Sequence, residues 1–398
     1  MKIIPVAEQC CPVCYSKEIK VFFEARQVPV YCGLLWPSRA EAVNAPKGNI
    51  LLGCCQGCSH VFNMSFRPES IQYSQPYDNS LHYSPYFQNY AKALAEGLIT
   101  RYDLHGKDII EIGSGTGDFL RLMCDLGGNR GFGFDPSAIQ LEIEQPSNQQ
   151  ITFIQDYFSE DYSHIHADFI CSRQTLEHMS DPRGFLTMLR RVIGDQAGTI
   201  VFLEVPNFLY SRPENALWDI IYEHYSYFNS HSLAHLAIQC GFDVLQVSET
   251  FDQLFLSIEL TPHPHSQYEQ PRILSGQVKA FKRQVEALAE NHQQEMVKWQ
   301  SRIQKIKDSG RRAVVWGAGA RGLSFLNLLH IGEEIPYIVD INPHKWGKYI
   351  AGTGQAIVEP DFLRKYLPEI VIIVNPIYKR EIAEMVASFA LQVEFLYA

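Results

Sequence analysis

Apolar residues recur along this chain in two rhythms, and the places where the rhythm changes divide it. Short apolar runs at residues 108–112, 132–134, 151–154, 169–171 and 199–203 alternate with helical stretches, such as the one opening at Phe119. That alternation predicts a parallel sheet with helices on both faces. A second, smaller series starts at Arg311: a strand at 313–316, a glycine loop, a helix, a strand ending at Asp340 and an apolar strand at 370–374. Between the two series, Val278, Phe281, Val285, Leu288, Met296, Trp299, Ile303 and Ile306 recur at three- and four-residue spacing, with a gap at His292. This predicts one long amphipathic helix. The stretch 261–271 holds three prolines and two histidines and reads as a linker before that helix. Three units follow: residues 1–68, residues 69–264, and residues 265–398 with the long helix at their start.

Composition changes this picture little. The chain has 398 residues, 46% apolar and 20% charged, which is enough apolar material for several cores. Its formal net charge of −10 argues against a sequence-independent grip on nucleic acid and against a polybasic membrane surface. No apolar run approaches the roughly 20 residues that span a bilayer. The opening residues 1–8 do not read as a signal peptide, so a cytoplasmic location is expected.

The cysteines do change it. Six of the ten lie in or beside two CxxC pairs, Cys11/Cys14 and Cys55/Cys58. Two thiolates on a tight turn occupy two corners of a tetrahedron, and a second pair completes it. In a chain without an export signal this favours zinc over disulfides. Four sulfur ligands leave no open position, so the zinc would be structural. Cys10 and Cys54 each precede a ligand candidate and are possible substitutes for it. Redox or simply buried cysteines are the plainer alternative.

The segment from Asp108 to Gly117 runs from an apolar strand through Glu111 into Gly113, Gly115 and Gly117. Glycines let the backbone turn sharply and let a ligand come close. A second acid, Asp135, ends the next strand, where it can accept hydrogen bonds from ribose hydroxyls. The acid ahead of the glycines would sit poorly beside a pyrophosphate but suits a ligand bearing an amino group and a sulfonium. This segment resembles the first motif of class I S-adenosylmethionine-dependent methyltransferases. The resemblance assigns Gly113, Gly115 and Gly117 to the amino-acid end of the cofactor, Asp135 to its ribose, and Asp156 to the neighbourhood of its adenine.

Two histidine segments follow. One is Leu176-Glu177-His178-Met179-Ser180-Asp181-Pro182, at the tip of the fourth strand. The other runs from Trp218 to Phe228 and packs Tyr222, Glu223, His224, Tyr225 and Tyr227 into a few positions. A carboxylate beside an imidazole can orient a base if the backbone bends suitably. An aromatic-rich core helix is the structural alternative. Further on, Gly317-Ala-Gly-Ala-Arg-Gly322 follows a strand and Asp340 ends the next, the form of a dinucleotide fingerprint.

Taken in order, the CxxC pairs, the glycine-loop core, the E-H-Y-S-Y-F segment and the terminal GAGARG loop resemble the zinc-containing sugar C-methyltransferases. These act on nucleotide-linked 4-keto deoxysugars, and the resemblance spans essentially the whole chain. It implies an α/β fold: a class I methyltransferase Rossmann-like core, a small N-terminal zinc module and a C-terminal Rossmann-like α/β domain. It implies S-adenosylmethionine as cofactor and His224 as base, with Glu223 beside it. Tyr222, His178 and Tyr77 are candidates to serve the enolate oxygen. Tyr222 stands one position away from the family's tyrosine. The resemblance also makes the terminal loop a holder of the substrate's nucleotide, through Gly317, Gly319, Arg321, Gly322 and Asn375. An NAD site and a loop that only packs are the alternatives there. For the whole chain the alternatives are O- or N-methylation in a natural-product pathway, or a non-catalytic nucleotide-binding scaffold.

Overall fold

The computed structural model describes residues 9–71, 80–137, 151–208, 217–263 and 275–398, in three sheets. Tyr77 lies outside the described residues. The first sheet joins β1 (Ile19–Pro29), β2 (Lys47–Cys55) and β3 (Val61–Asn63) in antiparallel register.

The central sheet begins with β4 (Asp108–Ile112), whose apolar residues are buried on both faces as a central parallel strand requires. Around it lie β5 (Arg130–Phe134), β6 (Ile151–Ile154), β7 (Phe169–Arg173) and β8 (Ile200–Pro206), all parallel. Helix Asp118–Gly127 buries Phe119, Leu120, Met123 and Cys124 against this sheet and stops at Gly128, whose φ is 64°. Helix Pro182–Ile193 starts where Asp181 accepts from the Gly184 N–H, with proline at its first position. A two-residue strand, β9 (Ser226–Tyr227), leaves this part of the chain to pair with β3 in the first sheet.

The central sheet ends in a hairpin, β10 (Phe242–Thr250) and β11 (Phe255–Pro262), so it is mixed rather than wholly parallel. β11 runs antiparallel to β8, giving the order β10-β11-β8-β7-β4-β5-β6. This hairpin corrects the expected all-parallel sheet, and Thr261 and Pro262 belong to its second strand rather than to a linker. Its turn uses Phe251, Asp252 and Gln253, all with positive φ and none of them glycine, so the usual turn signal is missing. Phe251 is held there by Phe87, Leu254 and Phe255 in a buried cluster.

The predicted long helix spans Ser275–Ser309. Its Phe281, Val285, Leu288 and Trp299 pack in one core with Phe23, Ile50 and Leu52 of the first sheet and Phe325 of the last unit. His292, the gap in the apolar pattern, meets the Phe23 ring edge-on at 5.5 Å. The third sheet is parallel throughout, with β12 (Ala313–Trp316), β13 (Tyr337–Val339), β14 (Ala356–Val358), β15 (Ile370–Ile373) and β16 (Glu394–Tyr397). Its order, β14-β13-β12-β15-β16, repeats the β6-β5-β4-β7-β8 order of the central sheet. In both sheets the order reverses beside the first strand, where open α/β sheets form their ligand crevice.

Candidate active site and metal centre

The two CxxC turns have the same construction. In one, the Tyr15 N–H donates to Cys11 O at 2.9 Å; in the other, the Ser59 N–H donates to Cys55 O at 3.0 Å. Tyr15 and Ser59, each just after the second cysteine, take left-handed φ values of 60° and 59°. The turns face each other. Cys11 Sγ lies 3.5 Å from Cys58 Sγ, and Cys14 Sγ lies 3.5 Å from Cys55 Sγ. All four sulfurs fall within 4.8 Å of one another. Sulfurs about 2.3 Å from one zinc stand about 3.8 Å apart, so this cage fits the ion. Cys10 is exposed, and Cys54 belongs to the core cluster on the other side of β2, so neither joins the cage.

The glycine loop after β4 turns through φ values of 75°, 50° and 76° at Gly113, Gly115 and Gly117. A Cβ on Gly113 would stand 2.2 Å from Thr175 Oγ1, and one on Gly117 would stand 2.3 Å from the Phe153 ring. Asp135, at the end of β5, accepts from the Gly115 N–H at 2.8 Å and from the Ser137 N–H and hydroxyl at 2.8 and 2.6 Å. Glu111 is buried and accepts from the Leu120 N–H at 3.1 Å. Burial pushes its carboxyl up to about 8. Asp156, on the far side, accepts from the Tyr162 hydroxyl at 2.7 Å.

Two backbone contacts stitch the histidine segments together. The Tyr225 N–H donates to Glu177 O at 2.9 Å, and His178 Nδ1 donates to Glu223 O at 3.2 Å. A carbonyl only accepts, so the neutral His178 carries its proton on Nδ1 and its lone pair on Nε2. His224 meets His178 edge-on, with ring centroids 4.9 Å apart. Burial pushes His178 down to about 4; burial and then the His178 charge push His224 well below the ordinary imidazole range. The Glu223 carboxylate turns away from His224 and accepts from the Cys32 N–H at 2.9 Å and the Cys32 thiol at 2.7 Å. Tyr222 is buried under Phe66, its hydroxyl accepting from the Arg67 N–H at 3.1 Å. It is not on the cavity wall.

The terminal loop copies the geometry of the first. The Gly317 N–H donates to Val339 O at 2.8 Å, as the Gly113 N–H does to Phe134 O at 2.8 Å. Asp340 accepts from the Ala318 and Asn342 N–H groups at 2.8 Å each, as Asp135 does from Gly115 and Ser137. The copies differ at the second glycine, where φ is −105° at Gly319 and 50° at Gly115, and in the cations near the second loop. The buried Lys345 ammonium lies 3.6 Å from Asp340. Arg321 is buried and makes a bidentate pair with Asp219, at 2.6 and 2.5 Å. One cavity of about 920 Å³ is lined by Gly113, Asp135 and Asp156, by His178 and His224, and also by Gly317, Gly319, Arg321, Gly322 and Asn375.

A family model for a methyltransferase domain matches residues 85–247, and one for a C-methyltransferase C-terminal domain matches residues 275–396. The C-methyltransferase NovU of Streptomyces niveus is 24% identical over 314 residues, covering 75% of this chain and 73% of that protein. The two models and this relative support an S-adenosylmethionine-dependent methyltransferase similar to the C-methyltransferases. Among solved structures, the DhpI complex with S-adenosylhomocysteine matches this methyltransferase at 21% identity over 46% of the chain and 88% of DhpI, with a TM-score of 0.34. The magnesium protoporphyrin IX methyltransferase of Synechocystis PCC 6803 matches at 14% identity over 44% of the chain and 84% of that protein, with a TM-score of 0.34.

The glycine-loop crevice lies within the stretch that the methyltransferase-domain model matches. Three wall residues escaped the sequence reading. Glu177 was visible beside His178 but carried no assigned role. Lys345 and Asp219 had no local signal at all, since their partners Asp340 and Arg321 lie elsewhere in the chain. No helix among the described residues is long and apolar enough to cross a membrane.

Proposed function

We propose that this methyltransferase methylates a carbon next to the ketone of a nucleotide-linked 4-keto deoxysugar. The observation that carries the reading is the single cavity shared by the cofactor loop, the His178–His224 pair and the terminal glycine loop. A plain C–H is too weak an acid for any side chain; beside a ketone, a positioned base can remove the proton while donors stabilise the enolate. S-adenosylmethionine supplies the methyl group on its sulfonium. His224 is the base in this reading, poised neutral by its burial. Glu111 would face the cofactor's amino group, Asp135 its ribose and Asp156 its adenine.

The substrate's nucleotide would lie against the terminal loop. Gly319 caps the helix Ala320–Leu328, and a Cβ there would meet nothing within 4 Å, so a phosphate has access to backbone N–H groups at a helix start. Arg321, already paired with Asp219, would tie this unit to the methyltransferase core. The Lys345 contact to Asp340 disfavours NAD, because the carboxylate that would bind a ribose is engaged. In the same reading the cysteine cage holds a structural zinc.

A second reading exchanges the two imidazoles. The Nδ1 bond of His178 to Glu223 O leaves Nε2 as the acceptor, which is the state a general base needs. Mass spectrometry with labelled S-adenosylmethionine and a panel of nucleotide 4-ketosugars tests the reaction; methylation of hydroxyl groups alone would overturn it. Proton exchange beside the ketone in deuterated water then decides between the imidazoles. Loss of exchange in His224→Ala supports the first reading, and loss only in His178→Ala the second.

A further inference from the structure

Glu177 is a buried acid on the cavity wall that neither the cofactor crevice nor the base assignment uses. It sits in the short turn Leu176–His178 after β7 and is 1% exposed. Its Oε1 lies 3.8 Å from His178 Nε2, the nitrogen left without a proton. The carboxylate and the ring nitrogens of His178 and His224 all fall within 4.8 Å of one another. Oε2 has no hydrogen-bond partner among the described residues.

The charged groups around it are committed elsewhere. Glu204, on β8, is paired with Arg173 and accepts from the Tyr90 hydroxyl. The Glu223 carboxylate is held by Cys32, and the Tyr227 hydroxyl by the Ile221 backbone. Glu204 adds its like charge to the burial that keeps the Glu177 proton on, and the nearest imidazole nitrogen is His178 Nε2 at 3.8 Å.

We propose that Glu177 is the counter-charge for the imidazolium that forms when this site removes a substrate proton, a positioning residue acting through His178 and His224. The inference rests on the proton-abstraction reading above. In that step the substrate C–H bond breaks and the proton passes to an imidazole nitrogen. The bond's electron pair becomes the enolate C=C as the carbonyl π pair moves onto oxygen. The enolate carbon then bonds to the methyl carbon, the S–CH₃ pair stays on sulfur and the ketone re-forms. The imidazolium returns its proton to solvent. Glu177 gains and loses no atoms in the transfer itself, and it acts on the imidazolium through its charge once it is ionised.

The sign of the effect follows from the resting state. Burial pushes Glu177 up to about 8 and His178 down to about 4, so near neutral pH this trio is uncharged. As pH rises and Glu177 ionises, imidazolium becomes less costly and proton removal speeds up. Without the carboxylate, that gain with pH disappears.

The test compares wild type with Glu177→Gln, which copies the shape of the protonated acid. Histidine ring resonances are followed by NMR as a function of pH, with no substrate present. The expected result is that wild-type His178 and His224 signals shift as pH passes about 8, where Glu177 ionises. In Glu177→Gln that shift is absent. Turnover should rise toward pH 8 in wild type and lie flat and about tenfold or more lower in the variant, since one pKa unit corresponds to a tenfold change. Unchanged S-adenosylmethionine affinity shows that the variant is folded. Histidine titrations that coincide in the two proteins overturn the proposal whatever the substrate is. Stoichiometric binding of a divalent ion at Glu177 and the two histidines, lost in the variant, also overturns it. Shifted titrations without turnover of any keto sugar overturn only the substrate assignment.

Discussion

Asp135 holds the Gly115 N–H and both donors of Ser137, so it shapes the glycine loop after β4 as well as facing the crevice. Asp135→Ala is expected to weaken S-adenosylmethionine binding by losing ribose hydrogen bonds, each contributing about 1.5–3 kcal/mol with a charged acceptor. Calorimetry showing equal affinity would mean that another acid binds the ribose. Glu111 gives a different kind of test. Its folded carboxyl is raised from 4.5 to about 8 by burial. The folded chain keeps a proton that the unfolded chain has released between those values. Its contribution to stability is full below pH 4.5 and is lost as pH rises through about 8. His178, lowered from 6.5 to about 4, acts in the opposite sense, but only below pH 6.5. Glu177, raised to about 8 in the same way, acts in the same sense, so between pH 6.5 and 8 the cofactor-free protein should lose stability and Glu111→Gln should remove about half of that loss in denaturant unfolding. An equally steep curve in the variant would assign the pH dependence to other groups.

Among the elements, the β4 loop is the least forgiving. Gly113 combines a φ of 75° with a space already filled by Thr175. Gly113→Ala should cost about 1–2 kcal/mol from the left-handed backbone alone, and more as Thr175 gives way. Thermal unfolding of the variant at the wild-type midpoint would show that the loop relaxes instead. The helix Pro85–Tyr102 reports a different kind of control. Its cap, Ser84, donates to Glu381 at 2.7 Å, and Glu381 also accepts from the Tyr86 N–H at 3.2 Å. A carboxylate from the last unit thus sits at the positive end of a methyltransferase helix and ties the two cavity walls together. The β10–β11 turn shows why elements were missed. Its left-handed residues are Phe251, Asp252 and Gln253, which aromatic packing holds where glycine would usually stand.

At the scale of the whole molecule, the cysteine module is not an appendage. Its β3 pairs with β9, where Val61 stands opposite Tyr227, three residues beyond His224. Its β1 and β2 share a core with the long helix and the last unit. A four-cysteine zinc here predicts about one metal per chain. Removing it by chelation, or replacing Cys55 by Ser, should lower both stability and turnover, because β9 loses its partner strand. S-adenosylmethionine affinity should persist, since the β4–β5 crevice is built from other elements. Elemental analysis finding no metal in gently purified protein would remove the zinc; metal loss with full turnover would uncouple the module from the histidines.

Some features are written into neighbouring residues, and these the sequence determined by itself. The CxxC pairs, the E-x-G-x-G-x-G run between a strand and a helix, and the apolar period of the long helix depend only on covalent spacing and repeat geometry. The glycine loops were legible because left-handed turns leave a compositional mark. Tertiary structure decided what depends on burial and on partners distant in the chain. The carboxylate beside the imidazoles is Glu177 rather than Glu223, because the stitch between the two segments turns Glu223 toward Cys32. Arg321 faces Asp219, and Lys345 faces Asp340, through contacts that no local pattern encodes. The two glycine loops open into one cavity because separate sheets, each reversing its strand order beside its first strand, turn those crevices toward each other.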